Sequence, residues 1–234
     1  MIINSDIMKK MIIQKGADIC GIAPVSRFSN APVGFHPNDI NSNCKSVVVF
    51  ASRFPNSTLW AKTNSPYTFI RNKMVDKLDM ISFCLSDELD RNGIESIPIP
   101  SAEPYDYWDS KRNHGKGILS LKHAGVLAGL GVIGKNTLLM NDKLGNMIWL
   151  GAILISSELE PDPIATYAGC IDTCTICIDA CPQNALDGTT INQKLCREKS
   201  FIYRDGGGRV ISCNTCRKVC PNYSGIKLKD ILQQ

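Results

Sequence analysis

Two cysteine runs constrain this chain more than anything else in it. The first reads Cys170-Ile-Asp-Thr-Cys174-Thr-Ile-Cys177-Ile-Asp-Ala-Cys181-Pro182, and the second Cys213-Asn-Thr-Cys216-Arg-Lys-Val-Cys220-Pro221. Thiolates bind iron tightly, and gaps this short let one loop aim three sulfurs at one point. This is the pattern of paired cubane iron–sulfur clusters, in which the Cys-Pro cysteine of each run serves the cluster of the other. The expected reason is that this cysteine opens a helix leading away, its proline fitting a first turn where a missing N–H costs nothing. The chain is therefore expected to move electrons.

The second run is one cysteine short, and Cys196 upstream supplies it. The ligands then divide into Cys170, Cys174, Cys177 and Cys220 for one 4Fe–4S cluster, and Cys181, Cys196, Cys213 and Cys216 for the other. Three residues separate Cys170 from Cys174 where two are usual. Either a local bulge absorbs the extra residue or Cys170 is a bystander. Disulfides fit poorly, because no secretory segment is present and the spacings are close and regular. Structural zinc is the serious rival, since it also takes four thiolates, but its cysteines usually come as separate Cys-x2-Cys pairs.

At 234 residues the chain makes one large domain or two smaller ones. Its +4 formal charge would be nearly cancelled by two oxidised clusters, each adding about two negative charges with its thiolates, so it gives no argument for a nucleic-acid partner. The N-terminus carries charges where a signal peptide needs an apolar run. The longest apolar stretch, Met147 to Ile155, is too short to span a bilayer. A reduced, cytoplasmic setting without a membrane follows as the expectation.

Two prolines in Glu158-Leu-Glu-Pro161-Asp-Pro163 mark a boundary between a body, residues 1–160, and a cysteine-rich module, residues 161–234. In the body, Ser5 to Gly16 reads as a helix, with Ile7, Met8, Met11 and Ile12 on one face. Residues 19–23 and 46–51 read as buried strands. A long helix runs from Ser65 to Gly93, with Ser65 as its cap and Pro66 at its first position. A strand over 94–99 and a helix over 119–130 follow, then a hairpin of 137–140 with 147–155.

Gly129-Leu-Gly131-Val-Ile-Gly134 matches a dinucleotide fingerprint in spacing only. A true fingerprint follows a strand and opens a helix, and this one does the reverse. Its glycines either let backbone approach a flat cofactor, with Lys135 and Asn136 as polar contacts, or make a tight turn with no ligand. Cys20 and Cys84 read as small buried hydrophobes. His36, His114 and His123 show no ligand spacing. Residues 105–114 form a loop dense in aromatics and charges, of the kind that lines sites or caps a body.

The run Ala128-Gly-Leu-Gly131-Val-Ile-Gly134-Lys-Asn-Thr-Leu-Leu139 resembles a segment of epoxyqueuosine reductases, as do Gly21-Ile-Ala-Pro24 and the cysteine block. Those enzymes are related to reductive dehalogenases. The resemblance implies an α/β (α+β) fold: a nitroreductase-like mixed-sheet body followed by a bacterial ferredoxin-like double-cluster domain. It implies a corrinoid (cobalamin) beside Gly131, Gly134, Lys135 and Asn136, fed by the clusters, with a ferredoxin or flavodoxin as electron donor. Where the family carries an acidic proton donor, this chain reads Ile99-Pro100-Ser101-Ala102-Glu103-Pro104, so Glu103, Tyr105, Asp106 or Asp109 becomes the candidate. The chain ends at Gln234 without the family's tRNA-gripping repeats, so the expectation is a shorter paralogue not acting on tRNA. Its acceptor would be a small molecule or a protein-bound corrinoid. The alternative is a non-catalytic electron carrier serving a partner protein.

Overall fold

A computed structural model of the chain describes residues 3–206 and 208–226. It opens with helix α1 (Ser5–Gln14), strand β1 (Ile19–Pro24), the single turn α2 (Pro37–Ile40) and strand β2 (Ser46–Arg53). The long helix α3 (Ser65–Arg91) and strand β3 (Ser96–Ile99) follow. Next come a small hairpin of β4 (Tyr107–Asp109) and β5 (His114–Lys116), then helix α4 (Leu121–Leu127). Strands β6 (Val132–Ile133), β7 (Leu139–Met140) and β8 (Ile148–Ile155) complete the body. The cysteine-rich part holds α5 (Ile176–Asp179), α6 (Gln193–Ser200), the hairpin of β9 (Phe201–Arg204) with β10 (Gly208–Ile211), and α7 (Thr215–Lys218). The last residues of that part, 227–234, lie outside the described residues.

The main sheet has the order β1-β2-β8-β3, and every pairing in it is antiparallel. The mixed sheet expected of the body does not form. Strands β2 and β3 are joined through α3, but β8 inserts between them and runs antiparallel to both, so no parallel pair is hydrogen-bonded. Pro98 is tolerated because β3 is an edge strand.

Alternation along β2 sorts two cores, since successive side chains of a strand point to opposite faces. Val47, Val49 and Ala51 join Ala124, Ala128 and Leu139 on one side. Val48 and Phe50 join Met8, Ile12, Leu78 and Leu85 from α1 and α3 on the other. At about 1.5 Å per residue α3 is roughly 40 Å long. Its first turns reach past the sheet into a third cluster, where Tyr67 and Met74 meet Phe54 and Met147 with Ile211 of β10 packed alongside. The Ile211 N–H donates to Thr68 Oγ1 at 3.0 Å. The N-cap of α3 is Asn64, one residue before the expected Ser65, and its side chain makes no capping bond.

The hairpin expected of 137–140 with 147–155 is replaced by two separate pairings. Strand β7 pairs with β6, in the register Val132↔Met140 and Ile133↔Leu139, while β8 takes the centre of the sheet. The reason is burial: nearly every residue of β8 is enclosed on whichever face it points to, which only a central strand provides. The turn between them closes on Asn141, whose Oδ1 accepts from Lys143 and Leu144 N–H and whose Nδ2 donates to the Leu130 carbonyl.

The stretch 158–163 is tied to the body. Leu159 N–H donates to Ser46 Oγ, and Asp162 accepts from Ile22 N–H and pairs with Lys9 at 2.5 Å. Opposite it, α4 lies so close to β1 that a Cβ at Gly21 would fall on the Ala128 carbonyl oxygen. Gly21→Ala should therefore lower stability by about 1–3 kcal/mol in urea unfolding, the usual range for overpacking. Gly117→Ala, where only ordinary contact awaits the new methyl, should cost less than about 1 kcal/mol.

Candidate functional site

The eight cysteines singled out in the sequence lie in the compact part built by α5, α6 and α7. Cys177 sits in α5 and Cys216 in α7, and these two single-turn helices pack against each other. Cys196 lies in the middle of α6. The helices expected to start at the Cys-Pro pairs are absent. Instead α5 and α7 end just before Cys181 and Cys220, and Pro182 and Pro221 stand in turns. A proline disfavours helical backbone in the residue before it, so each Cys-Pro stops a helix where one was expected to begin.

Mutual electrostatics divide the thiols into two sets. Burial pushes the Cys177 thiol up, and Cys170 and Cys174 add to it. Burial takes Cys220 to about 11, with Cys170, Cys177 and Cys174 contributing. Cys196 is raised by burial and then by Cys213 and Cys181. Cys216 is pushed by burial to about 11 against the lowering effect of Arg217, with Cys196 and Cys213 raising it further. One link crosses between the sets, from Cys216 to Cys177. Among the described residues no three His, Cys, Asp or Glu side chains converge on a single-ion position. A zinc ion would need its four sulfurs about 3.8 Å apart, from a Zn–S bond of about 2.3 Å in a tetrahedron. A cubane holds its thiolates farther apart, because four irons stand between them.

The turn after β6 touches both sets. The Lys135 N–H donates to Cys170 Sγ at 3.5 Å, and Lys135 Nζ donates to the Asp172 carbonyl at 2.5 Å. Asn136 is 2 % exposed; its Nδ2 donates to the Cys216 carbonyl at 3.4 Å, and its Oδ1 accepts from Leu138 N–H. In the second run, Ala185 N–H donates to Cys181 Sγ at 3.3 Å. Thiolates that accept N–H bonds at these places suit a negatively charged cluster.

The same turn does not fit a corrinoid. A Cβ at Gly131 would strike the Met140 carbonyl oxygen, and one at Gly134 the Met140 sulfur. The closeness the glycines allow is therefore to the protein's own chain, and a macrocycle laid there would displace buried Met140. Lys135 and Asn136 are occupied by the cysteine loops.

Two cations stand beside the second thiol set, and sequence reading missed both. Arg217, 6 % exposed, donates to the Asn146 carbonyl and lies 6.0 and 5.9 Å from the ring centres of Phe54 and Trp149. Lys122 Nζ donates to the Thr137 carbonyl at 2.6 Å. Burial and then Arg217 lower its pKa, while Cys216 and Cys196 raise it. Among the described residues neither cation lies in a salt bridge. Both border a cavity of about 160 Å³ with Asn146, whose buried amide has no hydrogen-bond partner among the described residues. The available signal was position: Arg217 directly follows Cys216.

The proposed proton donors lie elsewhere. Glu103 pairs with Arg209 at 2.8 Å, and Tyr105 OH accepts from Arg197 at 3.0 Å. Both border a groove of about 490 Å³, and Asp106 is exposed outside its lining. The loop expected over 105–114 is the β4–β5 hairpin. Its Gly115 exchanges two 3.1 Å hydrogen bonds with the side-chain amide of Gln193 on α6. Arg197, next to Cys196, stacks over Tyr105, Trp108 and Phe201 at 5.4, 5.1 and 5.4 Å. Cys20 and Cys84 are half-buried, where full burial was expected.

No family model matches the chain. It is 39% identical over 121 residues to an epoxyqueuosine reductase of Staphylococcus aureus, covering 47% of this chain and 31% of that protein. The same-named protein of Bacillus anthracis is 36% identical over 121 residues, with the same coverage. The chain thus spans about a third of the length of the curated relatives it matches, and those relatives are named as reductases. Among solved structures, epoxyqueuosine reductase from Streptococcus thermophilus superposes with a TM-score of 0.62 at 19% identity, over 94% of this chain and 66% of that one. A catabolic reductive dehalogenase gives 0.69 at 17% identity, over 97% and 33%. A further epoxyqueuosine reductase structure, with a TM-score of 0.59 at 20% identity over 95% of this chain and 66% of that one, contains a modified tRNA stem loop. These likenesses establish a shared fold. No helix among the described residues is long and apolar enough to cross a membrane.

One titration tests the local electrostatics. His123 is lowered below its usual 6.5 by burial and then by Lys122. The unfolded chain therefore binds the proton more readily than the folded one, and folded stability falls as pH drops through 6.5 toward the lower folded value. Urea midpoints between pH 5 and 8 should show that loss, and His123→Gln should flatten it.

Proposed function

We propose that the chain is an iron–sulfur oxidoreductase that passes electrons through two 4Fe–4S clusters to an acceptor bound against its N-terminal body. Cys170, Cys174, Cys177 and Cys220 would hold one cluster, and Cys181, Cys196, Cys213 and Cys216 the other. The gathering of the eight cysteines about α5, α6 and α7, clasped by one turn of the body, supports this reading. In domain terms it is a nitroreductase-like body, residues 1–160, and a ferredoxin-like module, residues 161–234. The names of the relatives support a reductase.

Once bound, the clusters supply one-electron transfers at potentials set by their charge, burial and hydrogen bonds. This chain's part is to hold and bias them. Lys135 fixes the loop between Cys170 and Cys174 through the Asp172 carbonyl. Asn136 fixes the backbone at Cys216. Lys122 and Arg217 place positive charge beside the second set, which favours the reduced cluster. A corrinoid does not fit the turn at Gly131–Asn136, so no step is assigned to one. A ferredoxin or flavodoxin is the proposed donor, and the setting is cytoplasmic. A tRNA acceptor is not assigned. A carrier that merely serves a partner is the reading to be beaten; a substrate-dependent reoxidation of the reduced protein would exclude it.

Anaerobically purified protein should be brown and contain about eight irons per chain, four for each cubane. Cys196→Ser should lose about half of that iron and Cys84→Ser none. Zinc without iron, or an unchanged iron count in Cys196→Ser, sinks the assignment. Lys122→Met should lower one midpoint potential, because removing a nearby cation disfavours the added electron. A unit charge roughly 10 Å away at an effective dielectric of about 20 is worth about 1.7 kcal/mol, or on the order of 70 mV. Redox titration followed by EPR measures it.

A further inference from the structure

A pocket of about 720 Å³ opens beside α4, walled by the 27–35 segment and roofed by β5 and Gln193 of α6. Its charge is one-sided. Arg27, Lys116, Lys122 and His123 border it, and among the described residues no aspartate or glutamate does. Among the described residues Arg27 and Lys116 make no ion pair, while Lys122 is shared with the Cys216 and Cys196 thiols. The Arg27 guanidinium donates to two carbonyls, of Leu127 and Asp162, at 2.7 Å each. Lys116 Nζ lies over the rings of Phe35 and Tyr107 at 5.4 and 5.2 Å. Lys122 donates to a carbonyl. His123 meets Ser120 Oγ at 2.7 Å through Nδ1, which leaves Nε2 for another partner.

The remainder of the wall is apolar and partly aromatic: Phe28, Phe35, Leu119, Val126 and Leu127. Uncompensated positive charge around an apolar interior attracts an anion whose body is itself apolar. The volume falls within the range of pockets that enclose drug-sized ligands. Gln193 ties the roof to α6, three residues before Cys196, so a molecule in the pocket lies beside the helix that carries one of the cysteines.

We propose that this pocket binds a small organic acid, a carboxylate carried on an apolar, ring-sized body. Its binding does not depend on the reductase reading. Phe35 and Phe28 would hold the ring, while Lys116 and His123 would take the carboxylate.

A matched series on one ring tests it by calorimetry on the anaerobically purified full chain: 2-naphthoate, 2-naphthalenemethanol, 2-naphthylmethylamine and 2-naphthyl phosphate. Naphthoate should bind at least tenfold more tightly than the neutral alcohol, and the amine should not bind. Lys116→Met, at an exposed rim position, should remove most of the preference for naphthoate over the alcohol, and Phe35→Ala should weaken both alike. No naphthoate binding, equal binding of acid and alcohol, or a preference unchanged in Lys116→Met overturns the proposal. Phosphate binding tenfold tighter than naphthoate overturns the carboxylate assignment. Iron is counted in the same samples. Naphthoate binding by iron-free protein would sink the reductase reading and keep the pocket; full iron with no naphthoate binding would do the opposite.

Discussion

Asn136 is enclosed between the body and the cysteine-rich module, and its amide works in both directions. Through Nδ2 it holds the Cys216 carbonyl, and through Oδ1 it holds the N–H of Leu138, at the start of the strand that pairs with β6. Beside it, Lys135 holds the Cys170 loop by its backbone N–H and its amine. Both cysteine runs are thus referenced to one turn, and that turn is itself referenced to α4 through Lys122 and the Thr137 carbonyl. A buried amide that lost these partners would carry the full desolvation penalty, so the contact specifies one arrangement of module on body. Gly131 and Gly134, which flank β6, serve the same purpose. They let β6 and the turn lie directly on Met140, closer than any side chain would allow.

The parts of the fold governed by local rules were readable. The apolar face of α1, with Met8, Met11 and Ile12, and the buried run of β2 were legible because each depends on residues near in sequence. Partner choice was not readable. Strand β8 is an apolar run that would suit a hairpin with 137–140 as well as a central place in a sheet, and only the burial on both its faces decides. The Cys-Pro pairs were misread for a related reason. Proline is compatible with the start of a helix and with the residue after its end, and spacing alone does not choose.

The site divides in the same way. The cysteines announce themselves, since eight of them at short intervals have few other uses. The residues chosen as proton donors followed a sequence position; Glu103 and Tyr105 lie in a groove with their polar atoms engaged by Arg209 and Arg197, and Asp106 stands exposed outside it. Lys122 and Arg217 could not be found by pattern. A lysine in an amphipathic helix and an arginine after a cysteine look like surface residues until the fold closes over them. Arg217, buried, and Lys122, half-buried, stand without a carboxylate, which is meaningful only once the thiols are seen beside them, because isolated buried charge is costly and needs a compensating anion.

Gln193 bonds both the N–H and the carbonyl of Gly115. One amide therefore fastens the β4–β5 hairpin to α6 at a point where the hairpin can neither slide nor twist without losing both bonds. The hairpin and the helix move as one lever. Prising the roof away from its pocket would drag on Cys196, and anything that sets the position of Cys196 fixes how wide the roof stands open. Access from solvent and the position of the Cys196 thiol are in this sense a single mechanical coordinate.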